Sequence, residues 1–134
     1  MFERELAVAE AEMGGAETAF YHRLYLHLRR QAGDPTGEAF ALTHMARARR
    51  QLGDPEAAIA LCRDAITLGH STPVNRSTTI ADPLDVLATC LHQLGHTGEA
   101  ITCSQEAATI YEDTGYPNMA AEVRQRLHDA QAQP

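Results

Sequence analysis

The chain has 134 residues, of which 44% are hydrophobic, and it carries a formal charge of −7. Its length is that of a single domain with a core of its own, and its richness in Ala and Leu without any Trp favours helices over sheets. All 11 basic residues are Arg, and the acidic balance argues against a surface that follows the phosphates of a nucleic acid.

Glycine residues recur along the chain at a regular spacing. Gly33 and Gly53 are 20 residues apart, as are Gly95 and Gly115. Glycine ends a helix in a left-handed conformation, and the Asp-Pro that follows it at 33–35 and 53–55 caps and opens the next helix. Apolar residues recur at helical spacing between these turns. The pattern predicts seven helices, near residues 2–13, 15–32, 36–52, 55–68, 78–94, 97–114 and 117–131.

The polar segment from Gly69 to Thr79 breaks this regularity. Register with the earlier helices starts the next helix near Ser77, whereas Asp82-Pro83 is itself a good cap and start. Either the helix starts late, or Pro83 lies within its first turns. A segment where regularity fails often carries function, although a plain linker is the simpler interpretation.

A longer motif repeats along the chain. Residues 52–59 recur 42 residues later as residues 94–101, and aligning residues 42–68 with 84–110 gives nine identities. Because these identities fall at helical spacing, they indicate a repeated helical hairpin. We expect every residue of the repeated motif, including Leu52, to be a packing residue. Function should then lie in the residues that do not repeat.

The repeat resembles the tetratricopeptide repeat, in the longer form of about 40 residues found in bacterial regulators of the actinobacterial type. That family places small residues at fixed positions of its two helices and Leu-Gly before the turn. The matches are Ala46, Leu52, Gly53, Ala58 and Ala65, then Ala88, Leu94, Gly95, Ala100 and Ala107. The family's aromatic positions depart from the pattern, since they hold Arg49, Leu91, Cys62 and Ser104.

The resemblance implies one all-α domain over residues 1–134, a right-handed superhelix of about three hairpins. These lie near 2–32, 36–68 and 78–114, and a capping helix at 117–131 closes the array. The last helix has an apolar side, formed by Met119, Ala120, Val123, Leu127 and Ala130. That side suits a cap, and it equally suits a docking site for a further repeat if the chain is a piece of a longer protein.

The resemblance also implies a protein or peptide interaction module without catalysis, such as the sensor part of a bacterial regulator. In this repeat the first helix of each hairpin lines a concave wall, which here predicts the partner-contacting residues Phe40, Thr43, Arg47, Arg50, Asp82, Asp85, Thr89 and His92. Such a wall is basic at one end and acidic at the other, which suits an extended peptide or a helix of opposite charge order.

Two alternatives stay open for this surface. The residues could be ordinary solvated helix faces, or the segregated charge could pair copies of the chain in a homo-oligomeric scaffold. Some family members clamp a partner's terminal carboxylate with Lys and Asn. The chain has no Lys, so Arg47 and Arg50 would have to grip such a carboxylate instead.

Metal binding and catalysis find little support in the sequence. His92 and His96 are four residues apart with Cys90 and Cys103 nearby, but Gly95 separates the histidines at a helix end, so we predict no zinc site. No nucleophile elbow, HExxH motif or phosphate loop occurs. We therefore predict no enzymatic activity, no metal and no cofactor.

The cysteines and the N-terminus bear on the compartment. Cys62, Cys90 and Cys103 cannot all pair within one chain and form no CxxC motif, so we expect them to be reduced and buried as small hydrophobes. The N-terminus is acidic and amphipathic, and no apolar run approaches membrane-spanning length. These features predict a cytoplasmic protein that does not bind membranes.

Overall fold

The computed structural model describes residues 15–72 and 74–132, and within these ranges every regular element is helical. The helix predicted near residues 2–13 lies outside the described residues. The others are α1 (Gly15–Gln31), α2 (Pro35–Gln51), α3 (Pro55–His70), α4 (Asp82–Gln93), α5 (Thr97–Asp113) and α6 (Pro117–Ala132). A π-helical turn, Ser77–Ala81, directly precedes α4. The prediction of an all-α hairpin array is confirmed.

Four connections end the preceding helix in the same way. Gly33, Gly53, Gly95 and Gly115 all have positive φ, between 65° and 92°. After α2, the Gly53 N–H bonds to the Arg50 carbonyl at 3.0 Å and the next N–H to the Arg49 carbonyl at 2.9 Å. This pair of bonds is the Schellman motif, and it recurs at the other three glycines. The glycine spacing therefore located the chain reversals correctly.

Aspartate then starts two of the helices. The Asp34 carboxylate accepts a bond from the Gly37 N–H at 2.9 Å, and Asp54 accepts one from the Ala57 N–H at 3.2 Å. A proline follows each aspartate in the first turn, where a missing N–H costs nothing. Helix α5 begins after His96 instead, which makes no side-chain cap.

The irregular segment before α4 combines the two predicted starts. Helical structure begins at Ser77, and Pro83 lies in the first turn of α4. A continuous α-helix would press the Thr79 carbonyl against the ring of Pro83, which has no N–H to offer it. The turn widens by one residue instead, so that the Asp82 N–H bonds to the Ser77 carbonyl.

Gly69 of α3 packs against this widened turn. A Cβ at position 69 would lie 2.4 Å from the Thr79 carbonyl oxygen and 2.9 Å from Cγ1 of Ile80. Because only a residue without a side chain tolerates that approach, Gly69 is required by packing rather than by its φ. Thr72 and Thr79 are buried, whereas residues 74–76 are exposed.

The repeated small residues form the helix contacts. Each helix packs on the next along the chain, and α2 also contacts α4. All six repeat alanines are buried: Ala46, Ala58, Ala65, Ala88, Ala100 and Ala107. Small residues let neighbouring helices approach closely. The expectation that every residue of the motif packs was wrong, since Leu52 is 57% exposed at the turn after α2 and the turn residues at 53–54 and 95–96 are exposed as well.

Candidate partner-binding groove

Helices α4, α5 and α6 enclose a groove of about 210 Å³. Its floor is aliphatic, and polar side chains surround it. The floor consists of Ala88, Ala100, Ile101, Val123, Leu127 and Ala130. The polar lining consists of Asp85, Thr89, His92, Thr97, Ser104, Arg126 and Gln131. The groove can therefore take up apolar side chains while its rim stays hydrated.

An ion pair joins the two sides of the groove. Nη2 of Arg126, on α6, lies 3.0 Å from Oδ1 and 2.9 Å from Oδ2 of Asp85, on α4. Asp85 is also the backbone partner of Thr89, whose hydroxyl donates to the Asp85 carbonyl at 3.1 Å. Three of the polar lining residues are thus already engaged with one another.

Asp82 is held one turn earlier on α4. The hydroxyl of Tyr111, a buried residue of α5, donates a hydrogen bond to Oδ1 of Asp82. Burial raises the pKa of Asp82, while the Tyr111 bond and the charge of Arg47 act in the opposite direction. Burial and the neighbouring Asp82 carboxylate also raise the pKa of Tyr111. Each carboxylate of the predicted acidic end therefore has a partner, but only Asp85 has its charge offset, since Arg126 is cationic and the Tyr111 hydroxyl is neutral.

The basic end of the surface is different. Arg47 and Arg50 of α2 are half-buried, and neither has a carboxylate within 4.0 Å among the described residues. Both charges reach α4, since Arg47 acts on Asp82 and Arg50 on Cys90. Positive charge without an ion pair thus acts on α4 from the side of α2.

Two residues of the predicted surface lie elsewhere. Thr43 is only 2% exposed, because it shares a helix face with Ala39 and Ala46, which are both fully buried. Its hydroxyl donates to the Ala39 carbonyl at 3.0 Å, so the prediction of Thr43 as a contact residue was wrong. Phe40 is half-buried within an aromatic cluster, with ring centroids 4.2 Å from His44 and 5.9 Å from Tyr25.

Of the eight predicted residues, the structure brings Asp85, Thr89 and His92 into the groove. Asp82 lies one turn before Asp85 on α4 and feels the charge of Arg47, but neither these two residues nor Arg50 line the groove. The prediction from the repeat alignment did not include the opposite wall of the groove, which α6 supplies. It also did not include the part of the floor that comes from α5. The apolar side of α6 was recognisable in the sequence, but no repeat shows which neighbour that side faces.

The cysteines are buried and unpaired, as expected. Burial raises the pKa of all three thiols, that of Cys62 to about 12, which disfavours the reactive thiolate. His92 and His96 are exposed while Cys90 is buried. No group of three or more His, Cys, Asp or Glu side chains able to hold a metal ion occurs among the described residues.

None of the helices that the structure describes is both long and apolar enough to cross a bilayer. Comparison with curated proteins returned no match, nor did comparison with solved structures. The family model of the tetratricopeptide repeat matches residues 37–113, which is more than half of the chain and includes both repeated hairpins. Repeats of this kind generally mediate protein–protein interactions and are not generally enzymes. The chain therefore belongs to the tetratricopeptide-repeat family.

Proposed function

We propose that the chain is an interaction module that holds a segment of a partner protein in the groove between α4 and α6 and along the basic edge of α2. The observation that carries the proposal is an aliphatic groove lined in part by α4, together with Arg47 and Arg50 on α2, a helix that contacts α4. These two arginines lack carboxylate partners among the described residues. Apolar floors supply affinity, and nearby charge selects the partner and its orientation.

The charge of the chain favours an acidic partner segment at the α2 edge. Five of the ten described arginines lie within 4.0 Å of a carboxylate, and Arg63 and Arg124 are examples, since each lies within 3.0 Å of a glutamate oxygen. Among the five that have no such partner, Arg47 and Arg50 are half-buried, whereas the other three are exposed. Arg47 and Arg50 have no such neighbour and are free to bind a carboxylate, for which a guanidinium is well shaped.

The proposal includes a role as the sensor part of a bacterial regulator. The resemblance to the 40-residue repeats of bacterial regulators supports a sensor role in the cytoplasm, where thiols such as Cys62 stay reduced. In that role partner binding would report a cellular state to a DNA-binding or nucleotide-binding part. The same surface could pair two copies of the chain, and light scattering at micromolar concentration tests this. A monomer would rule out self-assembly as the main role.

Site-directed photocrosslinking in the native cell tests the interaction. A photoreactive phenylalanine analogue replaces Gln131, an exposed residue on the rim of the groove. The matched control places it at Gln105, an exposed residue of α5 that does not line the groove. We expect a crosslinked protein at position 131 that is absent at position 105.

Two further variants test whether the crosslinked protein binds through the proposed surface. Arg47→Ala with Arg50→Ala should reduce the yield, because the basic edge is lost while the groove is intact. Ser104→Phe should reduce it by filling the groove. Equal yields from positions 131 and 105, or a yield unaffected by both changes, would refute the proposed surface.

A further inference from the structure

We infer that the groove between α4 and α6 is also a binding site for a small neutral amphiphile, about 10 Å long, with an aliphatic body and a hydroxyl or carbonyl head group. The binding is independent of the proposed function, but its consequence rests on that function. A small molecule on the groove floor excludes the partner segment and so regulates the module. Polar groups without a partner, their position in the groove and the balance of charge all point to this class of ligand.

Four polar side chains of the groove have no hydrogen-bond partner among the described residues. They are His92, Thr97, Ser104 and Gln131. The backbone N–H of Thr97 has no partner in the described part of the chain either, since Thr97 is the first residue of α5 and His96 makes no side-chain cap. Hydroxyl, imidazole and amide groups include both donors and acceptors. The groove can therefore bind a ligand oxygen through hydrogen-bonding groups that the protein does not use itself.

Three of these side chains meet at one end of the groove. Helices α4 and α5 are joined by the turn at Gly95, which puts His92 and Thr97 at the same end of the hairpin. Helices α5 and α6 are joined by the turn at Gly115, so Gln131, near the end of α6, returns to the level of Thr97. His92, Thr97 and Gln131 thus form the polar end of the groove, with one residue from each of its three helices.

The aliphatic floor separates this polar end from the ion pair between Asp85 and Arg126. Ser104 of α5 lies at the level of the ion pair, seven residues after Thr97, so the two ends are about 10 Å apart. The floor between them is formed by Ala, Val, Leu and Ile, and no Phe, Tyr or Trp lines the groove among the described residues. A short aliphatic body on the floor with a polar head at one end matches this layout, which is typical of small-molecule sites.

The charges of the groove lining favour a neutral ligand. Asp85 and Arg126, the aspartate and the arginine of the lining, neutralise each other in one ion pair. A charged head group would lose hydration without gaining an unpaired counter-ion. The start of α5 attracts negative charge, but Glu99 in its first turn already provides some. A neutral head group needs only the hydrogen bonds that the polar end offers.

Four straight-chain probes of equal length test the inference without knowledge of the natural ligand. Hexan-1-ol and hexanamide have neutral head groups, whereas hexanoate and hexylammonium are charged. Each probe is titrated into the isotope-labelled full chain, and the backbone amide resonances are followed by NMR. We expect the two neutral probes to shift amides of the groove lining with a Kd of about 1–10 mM, and the charged probes to bind about tenfold or more weakly.

Substitutions test whether these shifts come from the groove. Ser104→Phe and Ala130→Phe fill it and should weaken hexanamide binding about tenfold or more, whereas Thr109→Phe, at an exposed position of α5 outside the groove, should leave it unchanged. Gln131→Leu removes a head-group contact and should weaken binding about two- to fivefold. Gln105→Leu is its matched control, because Gln105 is exposed and does not line the groove. Circular dichroism confirms that each variant is folded.

Three results would overturn the inference. They are charged probes that bind as tightly as the neutral ones, shifts that persist in both filled variants, and no shift from any probe at about tenfold above the expected Kd.

The regulatory consequence has its own test in the crosslinking experiment. Saturating hexanamide should lower the crosslink yield from position 131, where His92 and Thr97 remain to bind its head group, and an unchanged yield would reject regulation by the ligand. Failure of the proposed function is separable from failure of the ligand site. A crosslink without probe binding would keep the interaction module and reject the ligand site, whereas probe binding without a crosslink would do the reverse.

Discussion

Replacing Gly69 by Ala places a methyl group where α3 meets the π-helical turn before α4. The new Cβ would lie 2.4 Å from the carbonyl oxygen of Thr79 and 2.9 Å from its carbonyl carbon. Both atoms belong to a backbone that Pro83 holds in its widened form, so they cannot rotate away as the end of a flexible side chain would. The two elements must separate by several tenths of an ångström or more.

The expected cost follows from two opposing effects. Overpacking of this kind costs about 1–3 kcal/mol. Ala is intrinsically better than Gly in a helix by up to about 1 kcal/mol, but Gly69 is the second-last residue of α3, where that gain is small. The free energy of unfolding should therefore fall by about 1–2 kcal/mol, and Tm by about 3–8 °C for a chain of this size.

Urea and thermal unfolding, followed by far-UV circular dichroism, measure the change. Gly98→Ala is the matched control, because a Cβ at position 98, in the first turn of α5, meets nothing within 4 Å. It should be neutral or stabilising by up to about 1 kcal/mol. If Gly69→Ala were as stable as the parent chain while the control behaved as expected, the close approach of α3 to the turn would be refuted.

Three further predictions concern caps, charge and packing. His96→Asp gives α5 the aspartate cap that α2 already has, so unfolding should require about 0.5–2 kcal/mol more; an unchanged urea midpoint would contradict this. Burial raises the folded-state pKa of Asp82 above 3.8, so between the unfolded and folded pKa values only the folded protein keeps the proton. The stability that this proton contributes is fully present below pH 3.8 and is lost as the pH rises through the folded-state pKa. Asp82→Asn should flatten that dependence in urea titrations at stepped acidic pH, and parallel profiles would disprove the assignment. Ala58→Leu should lower the free energy of unfolding by about 1–3 kcal/mol because Ala58 is fully buried. Arg47→Ala should change it by less than about 0.5 kcal/mol. If thermal melts showed Arg47→Ala to be the more destabilising change, the assignment of inner and outer helix faces would be wrong.

The parts of the fold that local chemistry decides were predictable from the sequence. Gly53 ends a helix and Asp54 starts the next through hydrogen bonds between residues at most five positions apart. The local sequence is therefore enough to predict the turn. The buried alanines were predictable for a related reason, since they repeat in the family and form the helix contacts. The sequence offered Ser77 and Asp82-Pro83 as alternative helix starts, but it did not predict the π-helical turn that combines the two.

The candidate groove was only partly predictable, because one of its walls does not repeat. Asp85 and Arg126 are 41 positions apart, and their contact depends on how α6 docks on α5. Thr43 was misplaced for a different reason. It lies three residues from both Phe40 and Ala46, and a rotation of less than half a turn decides whether it faces a partner or the core. Alignment to a repeat does not resolve such a rotation.

Helix α6 is the least anchored wall of the groove. It packs mainly on α5, with Ala120 and Val123 as its buried residues, and surface ion pairs such as Arg124–Glu112 add little to its attachment. We therefore expect backbone amide hydrogens of α6 to exchange with solvent sooner than those of α4. A bound partner would slow this exchange, since it bridges both helices. Affinity then includes the cost of ordering α6, so that substitutions on its outer surface, which no partner touches, will tune how tightly the groove binds.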